Sequence, residues 1–462
     1  MNLLKFLVNV SILLMVTCAL FYQATFAQAA VWRQTAPLAT SRFKHTANLL
    51  PNGKVLIVGG ATYTAATNTY RDLAEAELYD PLSNTWSSAG KMATARYGHT
   101  STLLPNGKVL VTGGTTTSGQ TQGEIYDPSS NSWTTGDINA ESLAYSTATL
   151  LNNGNVLFVG GTLPLSDLAD SSPPKLYDYK ANNSNFTAVT NTYNQYYITN
   201  NTSTLLPDGT VLITGGSQNT GNNYYFGSIY AQVWLYDPAS DSWKDSTNDS
   251  SIQSMAHARA LHSAVLLANG KVLVTGGQDV TSNYYKAISS SELYDPVTRT
   301  WSRTVGDLNI NRMSSTTTLL PDGTVLAVGG IGGAYSESLK SVELYDPVTS
   351  KWTITAPLVT DREGHTATLL PNGNVLVVGG FRYIYTNGSG PLASTELYDP
   401  TMNSWSLAAP SNNGYAYFAS CTLVDGKILV VGRNKTMGEL YDPGANSSVS
   451  YTHLTLPTIY SV

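Results

Sequence analysis

The chain has 462 residues and a formal net charge of −6, with 25 Lys and Arg against 31 Asp and Glu. Charged residues are only 12% of it, about half the share in an ordinary soluble domain, and no basic stripe runs along it, which argues against a nucleic-acid surface. Ser, Thr, Asn and Gly supply the polarity instead, and two cysteines are too few for a disulfide framework.

Residues 1–29 read as a secretory signal: Lys5 precedes an apolar run from Phe6 to Phe21, and Ala27-Gln28-Ala29 has the small-x-small form of a cleavage site. Asn9 interrupts the run, which falls short of the roughly 20 residues of a spanning helix. The mature chain is therefore expected to be secreted or held at the cell surface, with no transmembrane span. Retention of the segment as an anchor is the alternative. Cleavage leaves Cys421 alone, expected as a small buried residue on an inner strand.

From residue 30 the chain repeats itself, with a unit seen most clearly at Asp361 to Trp405. There, HTATLL and NVLVVGG are two β-branched-rich runs joined by Leu-Pro-Asn-Gly, a tight-turn signal, and predict strands a and b of a hairpin. STELYDP predicts strand c, Asp399-Pro400 and Asn403 a second turn, and the Trp405 run strand d. Strand b closes on Gly-Gly at Gly59-Gly60, Gly113-Gly114, Gly160-Gly161, Gly215-Gly216, Gly276-Gly277, Gly329-Gly330 and Gly379-Gly380, and a degenerate copy ends at Gly432. Strand c carries Tyr79, Tyr126, Tyr177, Tyr236, Tyr294, Tyr345, Tyr398 and Tyr441. Strand d carries Trp86, Trp133, Phe186, Trp243, Trp301, Trp352 and Trp405, one fewer than the tyrosines. The missing one is Trp32, followed by ATSRFKHT as Trp86 is followed by ATARYGHT. An N-terminal d strand pairing with the strand around Tyr441 would close a ring and remove the free sheet edges.

These features resemble the secreted bacterial kelch-repeat proteins and, more distantly, the central kelch propeller of galactose oxidase-like proteins. The carriers are the apolar run before Gly-Gly, the Glu-Leu-Tyr-Asp-Pro segments, and the tryptophan seven residues after most of the tyrosines. The expected fold is all-β: a closed kelch-type β-propeller over 30–448 with eight four-stranded blades of about 50 residues, seven being the runner-up. The resemblance implies that strand a is innermost and that the d–a and b–c loops share the face that carries the binding site. Residues 449–462 match nothing in the repeat and resemble translated adapter sequence, so the natural chain is expected to continue beyond about residue 448.

Two sets of loop residues are candidates for ligand binding. The d–a connectors repeat an arginine, at Arg42, Arg96, Arg259, Arg312 and Arg362, followed three residues later by His45, His99, His262 or His365 in four of the five. A ring of guanidinium groups could take carboxylates or sulfate. The competing reading is that each arginine holds a neighbouring loop's carbonyls and each histidine is structural. The second set is aromatic: Tyr193, Tyr196 and Tyr197, then Tyr224, Tyr225, Phe226 and Tyr230, then Tyr284 and Tyr285, with a smaller cluster at Tyr383 and Tyr385. A tyrosine presents a flat apolar face with a polar tip, suited to sugar rings and protein partners; the alternative is that these residues only cover the propeller rim.

One histidine per repeat does not converge on a point as zinc or copper requires, and the paired tyrosines, histidines and cross-linked cysteine of galactose oxidase-like copper chemistry are absent. No metal, cofactor or catalytic set is expected. Three functions remain. The first is a monomeric binding module for a glycan or surface protein. The second is an extracellular carbohydrate-active enzyme using acids such as Asp279, Asp361 or Glu363. The third is a structural component of the cell surface or matrix.

Overall fold

The computed structural model describes residues 31–444 apart from 65–66, 117–121, 136–143, 162–173, 179, 181–185, 189–197, 220–225, 248, 282–283, 333–336, 385–387, 417 and 433–435. The described residues contain no helix, and their strands form eight four-stranded antiparallel sheets together with shorter two- and three-stranded ones. In the seventh sheet Thr366–Leu369 pairs with Val375–Val378, which pairs with Thr395–Asp399, which pairs with Ser404–Ala408. These are strands a to d, as expected, and the arrangement is of the β-propeller kind.

Local chemistry sets each turn. Between a and b, Gly373 sits at φ +88° and donates its N–H to the carbonyl of Leu370 at 2.9 Å, a conformation that costs glycine nothing. Between c and d, Asn403 takes the left-handed conformation at φ 46° and its side-chain oxygen accepts the Tyr398 hydroxyl at 2.9 Å. The same tie joins Tyr79 to Asn84, Tyr126 to Asn131 and Tyr236 to Asp241. Asn and Asp tolerate that conformation better than other residues with a Cβ. The strand d tryptophan lies directly opposite the tyrosine and tilts against it, at 5.1 Å between Tyr398 and Trp405.

Strand b is buried along its whole length in every sheet, because a sheet covers each of its faces. Alternate residues go opposite ways: Val375 and Val377 pack with Leu326 and Val328 of the sixth sheet, whereas Leu376 and Val378 pack with Ile428 and Val430 of the eighth. Among the described residues the apolar core lies between sheets rather than within any one of them. One such cluster joins Val55, Ile57 and Tyr79 of the first sheet to Leu423, Leu429 and Val431 of the eighth. The eighth sheet takes its d strand from the start of the chain, Val31–Pro37, with Trp32 opposite Tyr441 and their rings 5.2 Å apart.

Strand a is half-buried and hydroxyl-rich. Thr149 bonds Ser203 of the next sheet at 2.8 Å, and Ser101 bonds Asn48 of the previous one. Neutral side chains hydrogen-bonding one another along these inner strands account for much of the charge-poor composition. Cys421 lies on this strand in the eighth sheet, half-buried rather than fully buried. Burial pushes its thiol up to about 12, which disfavours the reactive thiolate.

Candidate functional site

Strands a and b are antiparallel with Thr46 opposite Val58, so the start of a and the end of b lie at one end of the sheet. The d–a connectors and b–c loops therefore share a face. The ladder continues past Gly-Gly onto that face through single bridges, Phe43 to Ala61, Tyr97 to Thr115, Ala260 to Gln278 and Glu363 to Phe381. The two glycines are required by proximity as well as by φ. A Cβ on Gly60 would stand 2.7 Å from the Phe43 carbonyl oxygen, and one on Gly59 would stand 2.8 Å from that of Arg96 in the next sheet. Instead the Gly60 N–H donates to the Arg96 carbonyl at 2.9 Å, and Gly216, Gly277 and Gly330 do the same to Arg259, Arg312 and Arg362.

The five arginines lie beneath this face, and the assignment of Arg42, Arg96, Arg259, Arg312 and Arg362 as a ligand-binding ring is corrected. Their exposure is 1% or less. Each guanidinium is paired with a glutamate on strand c of its own sheet: Arg42 with Glu77, Arg96 with Glu124, Arg259 with Glu292, Arg312 with Glu343 and Arg362 with Glu396, at 2.5–2.8 Å. It also donates to the carbonyl of the first glycine, as from Arg312 to Gly329 at 2.9 Å. The glutamate in turn accepts backbone N–H groups of the d–a connector, Asn309 and Ile310 in the case of Glu343. Burial lowers each guanidinium pKa and the carboxylate opposes that shift. Side chain to its own sheet and, for Arg96, Arg259, Arg312 and Arg362, main chain to the previous one: the arginines latch neighbours together, with both terminal guanidinium nitrogens engaged beneath the face.

The histidines belong to the same latch. The Nε2 of His99 meets Thr46 Oγ1 of the preceding sheet at 3.0 Å, His262 meets Thr202 at 3.1 Å, and His365 meets Thr316 at 2.8 Å. Burial, aided by the nearby arginine, pulls these three imidazoles down to about 3, so they are neutral at pH 7. His45 has no hydrogen-bond partner on either nitrogen, because the corresponding residue of the preceding, eighth sheet is Ala419.

Above the latch the b–c loops rise as hairpins: Ala61–Thr64 with Thr69–Asp72, Ser217–Asn219 with Phe226–Ile229, Gln278–Thr281 with Tyr284–Ala287, Ile331–Gly332 with Glu337–Ser338, and Phe381–Arg382 with Gly390–Pro391. The hairpins of the fourth, fifth and sixth sheets touch in series. Of the predicted aromatic residues, Phe226, Tyr284 and Tyr285 are on these hairpins; Tyr193, Tyr196, Tyr197, Tyr224, Tyr225 and Tyr385 lie outside the described residues. Tyr383 is 42% exposed. Tyr230 instead has a structural task, its carbonyl accepting the Arg259 N–H at 3.1 Å.

Sequence reasoning missed a second aromatic group on this face. The Lys44 ammonium stands 5.4 Å from the Tyr97 ring centroid and 5.2 Å from that of Tyr145, and donates to the Tyr145 hydroxyl at 2.7 Å. Phe43 packs on Tyr70, which packs on Tyr63. Lys44, Gly98 and Tyr145 are successive loop tips tied by backbone bonds, Gly98 N–H to the Lys44 carbonyl and Tyr145 N–H to the Gly98 carbonyl. All three have positive φ. The signal was readable: each follows the arginine position by two residues.

A groove of about 600 Å³ opens between the Gln278–Thr281/Tyr284–Ala287 hairpin and the connector that follows Arg303, with His257 and Asp279 among its walls. The other acids singled out are engaged separately: Asp361 holds Arg382 at 3.0 Å, and Glu363, its carboxyl pushed up by burial, bridges Phe381 through its backbone. No three His, Cys, Asp or Glu side chains among the described residues are placed to share one ion.

The kelch motif matches residues 259–304, 312–358 and 365–412, the fifth, sixth and seventh sheets. The chain is 30% identical over 170 residues to kelch-like protein 25 of Xenopus tropicalis, covering 35% of this chain and 27% of that one. It is 26% identical over 235 residues to kelch-like protein 23 of Pongo abelii, covering 50% and 39%. It thus spans well under half the length of these relatives. Among solved structures, a fungal alcohol oxidase of the AA5 family in complex with copper shares the fold, with a TM-score of 0.54 and 14% identity over 90% of this chain and 77% of that one.

Proposed function

We propose that the chain is an exported kelch-repeat interaction module: a signal at 1–29 followed by a ring-closed, eight-bladed, monomeric propeller over 30–448, which binds an extracellular glycan or surface protein through its d–a and b–c loop face. The reading rests above all on the hairpins of the fourth, fifth and sixth sheets, which touch one another and raise a wall on that face alone. Ring closure is supported by the pairing of Val31–Pro37 with Met437–Asp442 and by the apolar cluster between the first and eighth sheets. The latch beneath the face supports it too, since it fixes the loop bases from below and leaves the loop tips free to vary. An oxidase alternative finds no support in the side chains. Three of the four repeat histidines bond hydroxyls at separate sheet interfaces, His45 has no partner, and Cys421 lies on an inner strand. Those donors do not fit a copper ion.

The test is the Tyr224→Ala/Tyr225→Ala/Tyr284→Ala variant of the exported chain, assayed on a glycan array and by pull-down from cell-surface extracts. Binding is expected to be lost with the thermal transition unchanged; full retention of binding would refute the assignment of this sector.

A further inference from the structure

The groove beside the fifth-sheet hairpin has a chemistry of its own. Asp279 and Lys286 are cross-strand partners on the hairpin, and Arg303 and Asp307 form an ion pair at 2.8 Å on the opposite wall. Two carboxylates and two cations sum to a formal charge of zero. The Asn311 amide spans the cleft, donating to the Ala287 carbonyl at 3.1 Å. His257, its side chain 38% exposed, also lines the cleft, with its Nδ1 3.6 Å from the Glu292 carboxylate of the latch. The lining therefore alternates donors and acceptors over a few ångströms without a net field. An ionic ligand would lose its hydration in such a place and meet as many like charges as opposite ones. A ligand with many neutral hydroxyls, each able to donate and accept, can satisfy both signs at once. The volume of about 600 Å³ is within the range of sites for small ligands.

We propose that this groove is a binding site for one or two units of a neutral saccharide, with Asp279 and Lys286 as its principal contacts. The proposal rests on the loop-face reading and narrows its glycan alternative to uncharged sugars. The groove is walled by the hairpin that continues the raised wall, so a longer chain seated there would run on over the face.

Affinity electrophoresis of the exported chain through gels containing β-glucan, galactomannan or xylan, with polygalacturonate as the charged control, tests this. Retardation is expected in at least one neutral gel, insensitive to salt, and absent in polygalacturonate. Asp279→Ala/Lys286→Ala should weaken it by roughly tenfold or more, the scale of losing a hydrogen bond to a charged group. Asp279→Asn should weaken it less, with the thermal transition held in both. Retardation that survives Asp279→Ala/Lys286→Ala but is lost in Tyr224→Ala/Tyr225→Ala/Tyr284→Ala would overturn the groove and leave the loop face standing. Retardation lost with the groove pair but kept in the tyrosine variant would uphold the groove and refute the tyrosine sector. Preference for polygalacturonate, or no retardation in any neutral gel, would overturn the groove proposal.

Discussion

Replacing Arg312 by Met, Glu343 by Leu, and both together dissects the latch in a sheet where both of its side chains are fully buried. Arg312→Met removes the partner of Glu343 and strips donors from the Gly329 carbonyl, the Ser341 carbonyl and the Ser341 hydroxyl. Breaking one side of a buried pair costs about 3–5 kcal/mol, and Glu343→Leu should cost about as much, because it leaves the connector N–H groups of Asn309 and Ile310 unmatched. The double variant cancels the stranded charge but not those backbone groups, at about 1 kcal/mol for each bond left unmade. It should therefore sit close to either single variant, well short of their sum. Urea unfolding followed by tryptophan fluorescence reads the three midpoints at unchanged slope. Single-variant costs under about 0.5 kcal/mol, the scale of an ordinary surface change, or costs that simply add, would refute the latch. A binding defect in a stably folded Arg312→Met protein would restore the ligand role.

The histidines give the latch a pH dependence. Folded-state values near 3 for His99, His262 and His365 lie below the ordinary value of about 6.5, so the unfolded chain binds more protons between those limits. Stability is then full above about pH 6.5 and falls toward pH 3, by up to about 1.4 kcal/mol per pH unit for each histidine; His365→Ser should flatten the urea-midpoint profile by one proton. Gly330→Ala should fail to accumulate as folded protein, since its Cβ would stand 2.5 Å from the Met313 carbonyl oxygen. Gly323→Ala, with nothing within 4 Å, should cost only the strain of its left-handed turn, about 1–2 kcal/mol, in the same thermal melt. Deleting residues 31–37 uncovers the edge of Met437–Asp442 and should convert a monomer into aggregates on size exclusion; a monomeric deletion product would argue against ring closure.

The repeat itself made the strands legible, because each position carries its demand openly. A strand covered on both faces needs four apolar residues in a row, a turn needs Asn-Gly, and Gly-Gly marks backbone passing within contact of the next sheet. Even the pairing of Trp32 with Tyr441 followed from a count that did not balance. The roles of the arginines were harder to read because a guanidinium looks the same in sequence whether it faces solvent or a glutamate some thirty residues ahead. Yet the chain held the answer in its irregular copies. Where Ile198 stands in place of the arginine, Trp234 stands in place of the glutamate, and where Tyr415 replaces it, Glu439 remains and accepts the Tyr415 hydroxyl at 2.9 Å. Asn413 donates to that same carboxylate at 2.7 Å. A residue that varies only together with a partner, or only to another donor aimed at that partner, is bound to it, and a ligand-facing ring would show no such coupling. His45 extends the same logic: it lacks a partner where the preceding strand has Ala419 in place of threonine. The face above was less legible because its loops follow no repeat, so only local composition marked them. That composition pointed to the tyrosines of the third to fifth sheets, whereas Lys44, Tyr97 and Tyr145 are brought together from three successive connectors by the ring of left-handed loop tips. The periodic positions hold the sheets together, so the capacity to tell one partner from another must lie in the residues that break the period.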